Sequence, residues 1–136
     1  MNAVDVLIKY WGHTSFRLKQ EEIINSVIAK KDTLALLPTG GGKSICYQVP
    51  ALLNEGICIV ISPLIALMND QVRFLKSKGI KSVAITSNMH FTEIDTALTN
   101  CIYGGVKFLY LSPEKLQNEL VQTRIKEMNV NLITVD

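Results

Sequence analysis

Five short apolar runs rich in β-branched residues recur along this chain: TLALL (33–37), ICIVIS (57–62), SVAIT (82–86), VKFLYLS (106–112) and NLITV (131–135). Their starts lie about 24 residues apart, room for a strand, a turn and a helix but too much for a meander of hairpins. Most are apolar throughout, as strands covered on both faces by helices are. The last of them, in the closing stretch VNLITVD, reads as a buried strand carrying Asp136 at its carboxyl end.

The stretches between the runs have helical spacing. Ile23, Ile24, Val27 and Ile28 form an apolar stripe ahead of the first run. Residues 64–78 place Leu64, Met68, Val72 and Leu75 on one face, and Gly79 stops the helix. Residues 92–103 start at Thr92 as N-cap and end before Gly104-Gly105. A helix over 113–127 opens with Pro113 and Glu114 and carries Leu116 and Leu120 on one side. The pattern predicts one α/β domain, residues 1–136, with a parallel sheet sandwiched by helices.

LPTGGGKS (37–44) follows the first run and precedes a helix. Gly40, Gly41 and Gly42 turn the backbone without a Cβ penalty and aim N–H groups at one point, where the next helix adds its positive end. That is a phosphate loop, in which Lys43 reaches the β- and γ-phosphates of a nucleoside triphosphate and Ser44 holds Mg²⁺. The strict pattern asks for glycine where Leu37 stands. Pro50, inside the following helix, is expected to kink or end it near Val49. Ligands of open α/β sheets sit outside the carboxyl ends of the strands, so Asp136 is a candidate Mg²⁺ ligand. An ordinary polar residue ending a strand is the alternative.

The bulk properties exclude several classes. A 48% hydrophobic content is too high for a disordered chain, and a net charge of +2 makes no case for nucleic acid by itself. Lys30, Lys31, Lys76, Lys78 and Lys81 fit a solvated face as well as a phosphate contact. Cys46, Cys58 and Cys101 are widely spaced among apolar neighbours, with no CxxC pair, which predicts buried reduced thiols in a cytosolic protein. No apolar run approaches the roughly 20 residues that span a bilayer, and MNAVDVLIKYWGH is no secretory signal.

Taken together, the motifs resemble the RecQ family of DNA helicases from about Trp11 to Asp136. WGHTSFRLKQEEII (11–24) resembles that family's first motif, with Leu18 where proline is usual. LLPTGGGKSICYQVPAL (36–52) is similar to its phosphate loop almost letter for letter, Leu37 and Pro50 included. ISPLIALMNDQV (61–72) and LYLSPEKL (109–116) resemble the next two motifs, and NLITVD the start of the Asp-Glu-Ala-His motif. The resemblance implies a RecA-like P-loop NTPase fold: the first motor domain of a 3'-5' DNA helicase, acting in repair and recombination and using ATP with Mg²⁺.

By the same resemblance, Gln20 reads the adenine edge, His13 packs near the base and Arg17 helps hold the nucleotide, together with Thr39, Gly40, Gly41, Gly42, Lys43 and Ser44. Read without it, Gln20, His13 and Arg17 are surface residues. Lys43 and Asp136 become the catalytic pair, with Ser44 and Asp136 on the metal. Ser62, Pro63 and Leu64, with Ser112, Pro113 and Glu114, fall at strand-to-helix turns suited to a DNA backbone at a single-strand/duplex junction. Helix capping by these serines is compatible with that role. Asp70 and Gln71 read as a polar helix face.

The glutamate expected after Asp136, a base worth roughly 10²–10⁴ in rate, lies outside these residues. So do a second motor domain and its arginine finger, worth about 10³–10⁵. The strand that pairs with the phosphate-loop strand in RecA-like motors also falls past residue 136. The chain therefore reads as the front of a longer helicase, able to bind nucleotide alone but not to unwind. Its expected location is the cytoplasm, on the nucleoid in a bacterium, or the nucleus in a eukaryote. A non-catalytic nucleotide-binding module and a small P-loop phosphotransferase are the competing readings; Arg124 as the sole arginine of 113–127 argues against the latter's mobile lid.

Overall fold

The computed structural model describes residues 1–17, 19–37 and 42–136. They form two compact units, Met1–Asn54 and Glu55–Asp136.

The first unit is built from three helices: α1 (Ala3–Trp11), α2 (Gln20–Ile28) and α3 (Lys43–Leu53). Asn2 caps α1, its Oδ1 accepting the Asp5 N–H at 2.9 Å while the Asp5 carboxylate accepts the Asn2 N–H at 2.9 Å. Val6, Ile24 and Val49, one from each helix, make the core, with Tyr10, Trp11, Phe16 and Ile45 packed around them. This packing sets the start of α2 beside the start of α3.

Two expectations fail in this unit. TLALL (33–37) forms no strand, and Leu34 and Leu36 are 87% and 81% exposed. A strand's hydrogen bonds all go to a neighbouring segment, and no described strand pairs with this run. Pro50 does not end α3, which runs on to Leu53. The proline falls in the last turn, where its ring is buried and few bonds remain to break; its carbonyl accepts a hydrogen bond from the Asn54 side chain at 3.1 Å.

The second unit is the sheet. β1 (Ile57–Ile61), β2 (Ser82–Ile85), β3 (Phe108–Leu111) and β4 (Val130–Val135) pair in parallel in the order β2-β3-β1-β4. From β1 the chain crosses to the far edge through α4 (Ile65–Ser77). It then returns through α5 (Phe91–Tyr103) and α6 (Glu119–Ile125). Right-handed crossovers running in opposite directions put their helices on opposite faces. Accordingly Ile57, Ile59, Ile85, Leu109 and Leu111 pack against Ile94 and Leu98 of α5 and Val121 of α6. α4 lies against β2 and β3, burying Met68, Val72 and Leu75. Glycine is required at Gly56, whose φ is +103° and where a Cβ would run into the Asn129 carbonyl. That close approach lets Ile57 N–H reach Asn129 O at 2.8 Å and starts the β1–β4 ladder.

Local chemistry corrects four further details. Leu64 is the exposed N-cap of α4 and no part of its buried stripe. α5 begins at Phe91 with His90 as its N-cap, two residues before the expected N-cap Thr92, because the Glu93 carboxylate accepts the His90 N–H at 3.1 Å. The helix expected over 113–127 is broken. A 3₁₀ turn (Glu114–Gln117) is followed by α6, whose cap is the Asn118 side chain accepting the Val121 N–H at 3.2 Å. An asparagine oxygen competes with the helix ladder, so the chain restarts there. Finally, β4 is an edge strand with Ile133 and Val135 exposed, not a strand buried on both faces.

Candidate nucleotide and nucleic-acid sites

At the entry to α3, Gly42 takes a left-handed conformation, φ +74°. Gln20 packs onto it from the start of α2: its Nε2 donates to Gly42 O at 3.1 Å, and its Oε1 accepts the Arg17 N–H at 2.8 Å. A Cβ at Gly42 would run into Gln20 Nε2 and stand 3.5 Å from an Arg17 guanidinium nitrogen. Two residues of the first motif and the end of the phosphate loop, more than twenty positions apart, thus form one cluster. Gln20 is 2% exposed, and each end of its amide already holds a backbone partner. An amide carries two N–H donors and an oxygen with two lone pairs, the donor-acceptor combination that matches an adenine edge.

Lys43 is the first residue of α3 and is exposed; Ser44 behind it is half-buried. The helix start has no side-chain cap and no acid in its first turn, which suits an anion there. His13 is exposed, one residue past Gly12, the left-handed C-cap of α1. Thr39, Gly40 and Gly41 lie outside the described residues, as does Leu18.

In the second unit the four strands end level. The ladders pair Ile85 with Leu111, Leu111 with Ile61, and Ile61 with Val135. The next residues, Thr86, Ser112, Ser62 and Asp136, therefore make one row across the carboxyl edge of the sheet. At about 4.8 Å per strand, that row is about 14 Å long. Backbone bonds hold it: Ser62 N–H donates to Leu111 O at 3.0 Å, and Asp136 N–H to Ile61 O at 2.9 Å.

A cavity of about 590 Å³ opens at the β2–β3–β1 part of this edge, lined among others by Pro63, Thr86, Ser87, Ser112, Glu114 and Lys115. The two serine turns differ. Ser62 is buried, and its Oγ accepts the Leu64 N–H at 3.2 Å, so its hydroxyl shapes the turn into α4. Ser112 is half-buried and lines the cavity, while Pro113 beside it is exposed. The Glu114 carboxylate repels a phosphate; Lys115 attracts one. Asp70 is a surface residue that pairs with Arg73 at 3.2 Å.

Sequence reasoning missed Thr86, Ser87 and Lys115. The signal for the first two was a polar residue directly after an apolar run, the same punctuation that marks Ser62 and Ser112. The three cysteines are buried and unbridged. Burial pushes the thiols of Cys58 and Cys101 up to about 12 and raises that of Cys46 as well. Among the described residues no helix is long and apolar enough to cross a membrane, and no group of three or more His, Cys, Asp or Glu residues gathers to hold a metal. Mg²⁺ needs no such cage, because it keeps most of its water and phosphate ligands.

Residues 17–136 match the family model described as DEAD/DEAH box helicase. The chain belongs to that family. It is 42% identical over 130 residues to the probable ATP-dependent DNA helicase RecS of Bacillus subtilis, covering 96% of this chain and 26% of that protein. It is also 42% identical over 134 residues to the ATP-dependent DNA helicase RecQ of Pasteurella multocida, covering 98% and 21%. Similarity to the ATP-dependent helicase wrn-1 of Caenorhabditis elegans is 41% over 117 residues, 86% of this chain and 11% of that one. The resemblance to RecQ helicases carried by the motifs therefore extends over nearly the whole chain. This helicase segment spans about a quarter or less of the length of those relatives.

Proposed function

We propose that this chain is the ATP-binding and DNA-backbone-binding part of the first motor domain of a RecQ-like helicase, one that couples ATP hydrolysis to 3'-5' unwinding in DNA repair and recombination. The observation that carries the nucleotide half is the cluster of Arg17 and Gln20 on Gly42 at an uncapped helix start. Lys43 neutralises the β- and γ-phosphates, the Gln20 amide reads the adenine edge, and Arg17 and His13 flank the nucleotide. Thr39, Gly40 and Gly41 complete the loop. Ser44 and Asp136 are each proposed as Mg²⁺ ligands on the strength of the motifs alone, and Lys43 with Asp136 as the catalytic pair. Bound MgATP supplies the phosphoryl group whose hydrolysis drives the motor.

The DNA half rests on the cavity at the sheet edge. Ser112 and Lys115 would meet a phosphate by hydroxyl and charge. The backbone N–H of Glu114, at the Pro113–Glu114 turn, is proposed as a further donor, while the Pro63–Leu64 turn, its Leu64 N–H held by Ser62 Oγ, shapes the wall. Such contacts position a strand without reading its sequence. The second motor domain and the glutamate next to Asp136 are proposed to belong to the same protein, acting in the cytoplasm on the nucleoid, or in the nucleus of a eukaryote.

Lys43→Ala tests the nucleotide half. MgATP affinity by isothermal titration calorimetry should fall roughly ten- to a hundredfold, the worth of a charged hydrogen bond, with an unchanged far-UV spectrum. Equal binding by Lys43→Ala and parent would end the phosphate-loop reading.

A further inference from the structure

Phe91 is 68% exposed at the first position of α5. It stands four positions past Ser87 in the cavity wall, at most about 14 Å of chain, so the ring stays within reach of a strand lying in the cavity. The segment between them is tightly held. Met89 N–H donates to Thr86 O at 3.3 Å, and Thr86 Oγ1 donates to Asn88 Oδ1 at 2.5 Å. The Met89 side chain packs on the core, and Glu93 fixes the start of the helix through the His90 N–H. A ring on a base this constrained has little freedom to lose on binding.

One exposed aromatic is by itself ordinary. α5 supplies its own comparison, because it ends in Tyr103, 80% exposed. The helix rise puts the two rings about 18 Å apart, one at the carboxyl edge of the sheet beside the cavity and one at the opposite edge. The cavity of about 540 Å³ near Tyr103 also holds lysines, Lys76 and Lys81. Its one hydroxyl, on Ser82, is buried and donates to Ile80 O, and Lys81 Nζ donates to Gly104 O. The cleft near Phe91 instead sets Thr86, Ser87 and Ser112 beside Lys115. Hydroxyls and a cation for a backbone, with an aromatic face alongside, are the combination that holds single-stranded nucleic acid.

We propose that Phe91 is a base-stacking platform for single-stranded DNA, extending the Ser112–Lys115 cavity by one base contact; this rests on reading that cavity as a backbone site. The contact is tolerant of sequence, since every base has a π face. It adds no phosphate neutralisation, so it leaves the salt dependence alone.

The test is oligo-dT binding, by fluorescence anisotropy without nucleotide, to the protein as its gene encodes it. Phe91→Ala should weaken binding roughly fivefold to a hundredfold with the slope against salt unchanged, Phe91→Trp should restore it, and Tyr103→Ala should stay within about twofold of parent. Phe91→Ala binding like the parent would overturn the platform and leave the cavity reading standing. So would a loss that Phe91→Trp does not repair, or one that Tyr103→Ala matches. A parent that fails to bind oligo-dT overturns the platform and the cavity reading together.

Discussion

The two candidate sites are built in opposite ways. The nucleotide cluster in Met1–Asn54 is wound around one backbone turn: Gly42 at its centre, Lys43 and Ser44 next to it in sequence, and Gln20 and Arg17 brought onto it by one helix pair. The cavity in Glu55–Asp136 has no such centre. Its residues are single positions that follow three different strands and become neighbours only because the strands end level. A site of the first kind depends on one conformation, and a local change should damage it all at once. A site of the second kind is spread over a rigid sheet edge, and each residue should be removable at a small, separate cost.

The sharpest attempt to break this contrast is Gly42→Ala. It forces a left-handed conformation on a residue with a Cβ and drives that Cβ into Gln20 Nε2. We expect a stability loss of about 1–3 kcal/mol in urea melts, along with weakened MgATP binding. Adding Gln20→Ala should relieve the collision and leave only the backbone strain, so the pair is expected to be non-additive in a double-mutant cycle. Simple additivity would mean that the cluster does not act as a unit.

Lys115→Ala probes the dispersed site. Oligo-dT affinity should fall only a few-fold, and the slope of log affinity against log salt should drop by about 0.7, one phosphate contact on a single strand. MgATP affinity measured without DNA should not move. An unchanged salt slope would remove Lys115 from the backbone contact.

The smallest effect concerns the buried thiols. Cys58 and Cys101 are raised from 9.0 to about 12 by burial, so the folded state favours the neutral thiol. Their contribution to stability is fully present below about pH 9 and is lost as pH rises towards 12. The urea midpoint should therefore fall between pH 8 and pH 10.5, and fall less in Cys101→Ala. An equal fall in both proteins would assign the loss to other groups.

Much of this was legible in the residues. The runs at 57–62, 82–86, 106–112 and 131–135 each fall on a strand, and the stripe of Met68, Val72 and Leu75 is buried as spaced. Helix ends were less legible, because single side chains move them: Glu93 pulls the start of α5 back to Phe91, and Asn118 splits the last helical stretch in two. Such competition between a polar side chain and the backbone is decided over one or two residues, below the reach of an apolar periodicity.

The sequence by itself determined the alternation of strand and helix and the chemistry of LPTGGGKS, because apolar spacing and glycine content act within a few residues of themselves. Tertiary structure decided which runs became strands. TLALL and ICIVI are nearly interchangeable as text, yet 57–61 is a central strand and 33–37 is no strand at all. A helix satisfies its own hydrogen bonds, whereas a strand must find them on a neighbour. The same dependence on neighbours set Thr86, Ser112, Ser62 and Asp136 in one row, and that row is invisible until the strands are paired in register.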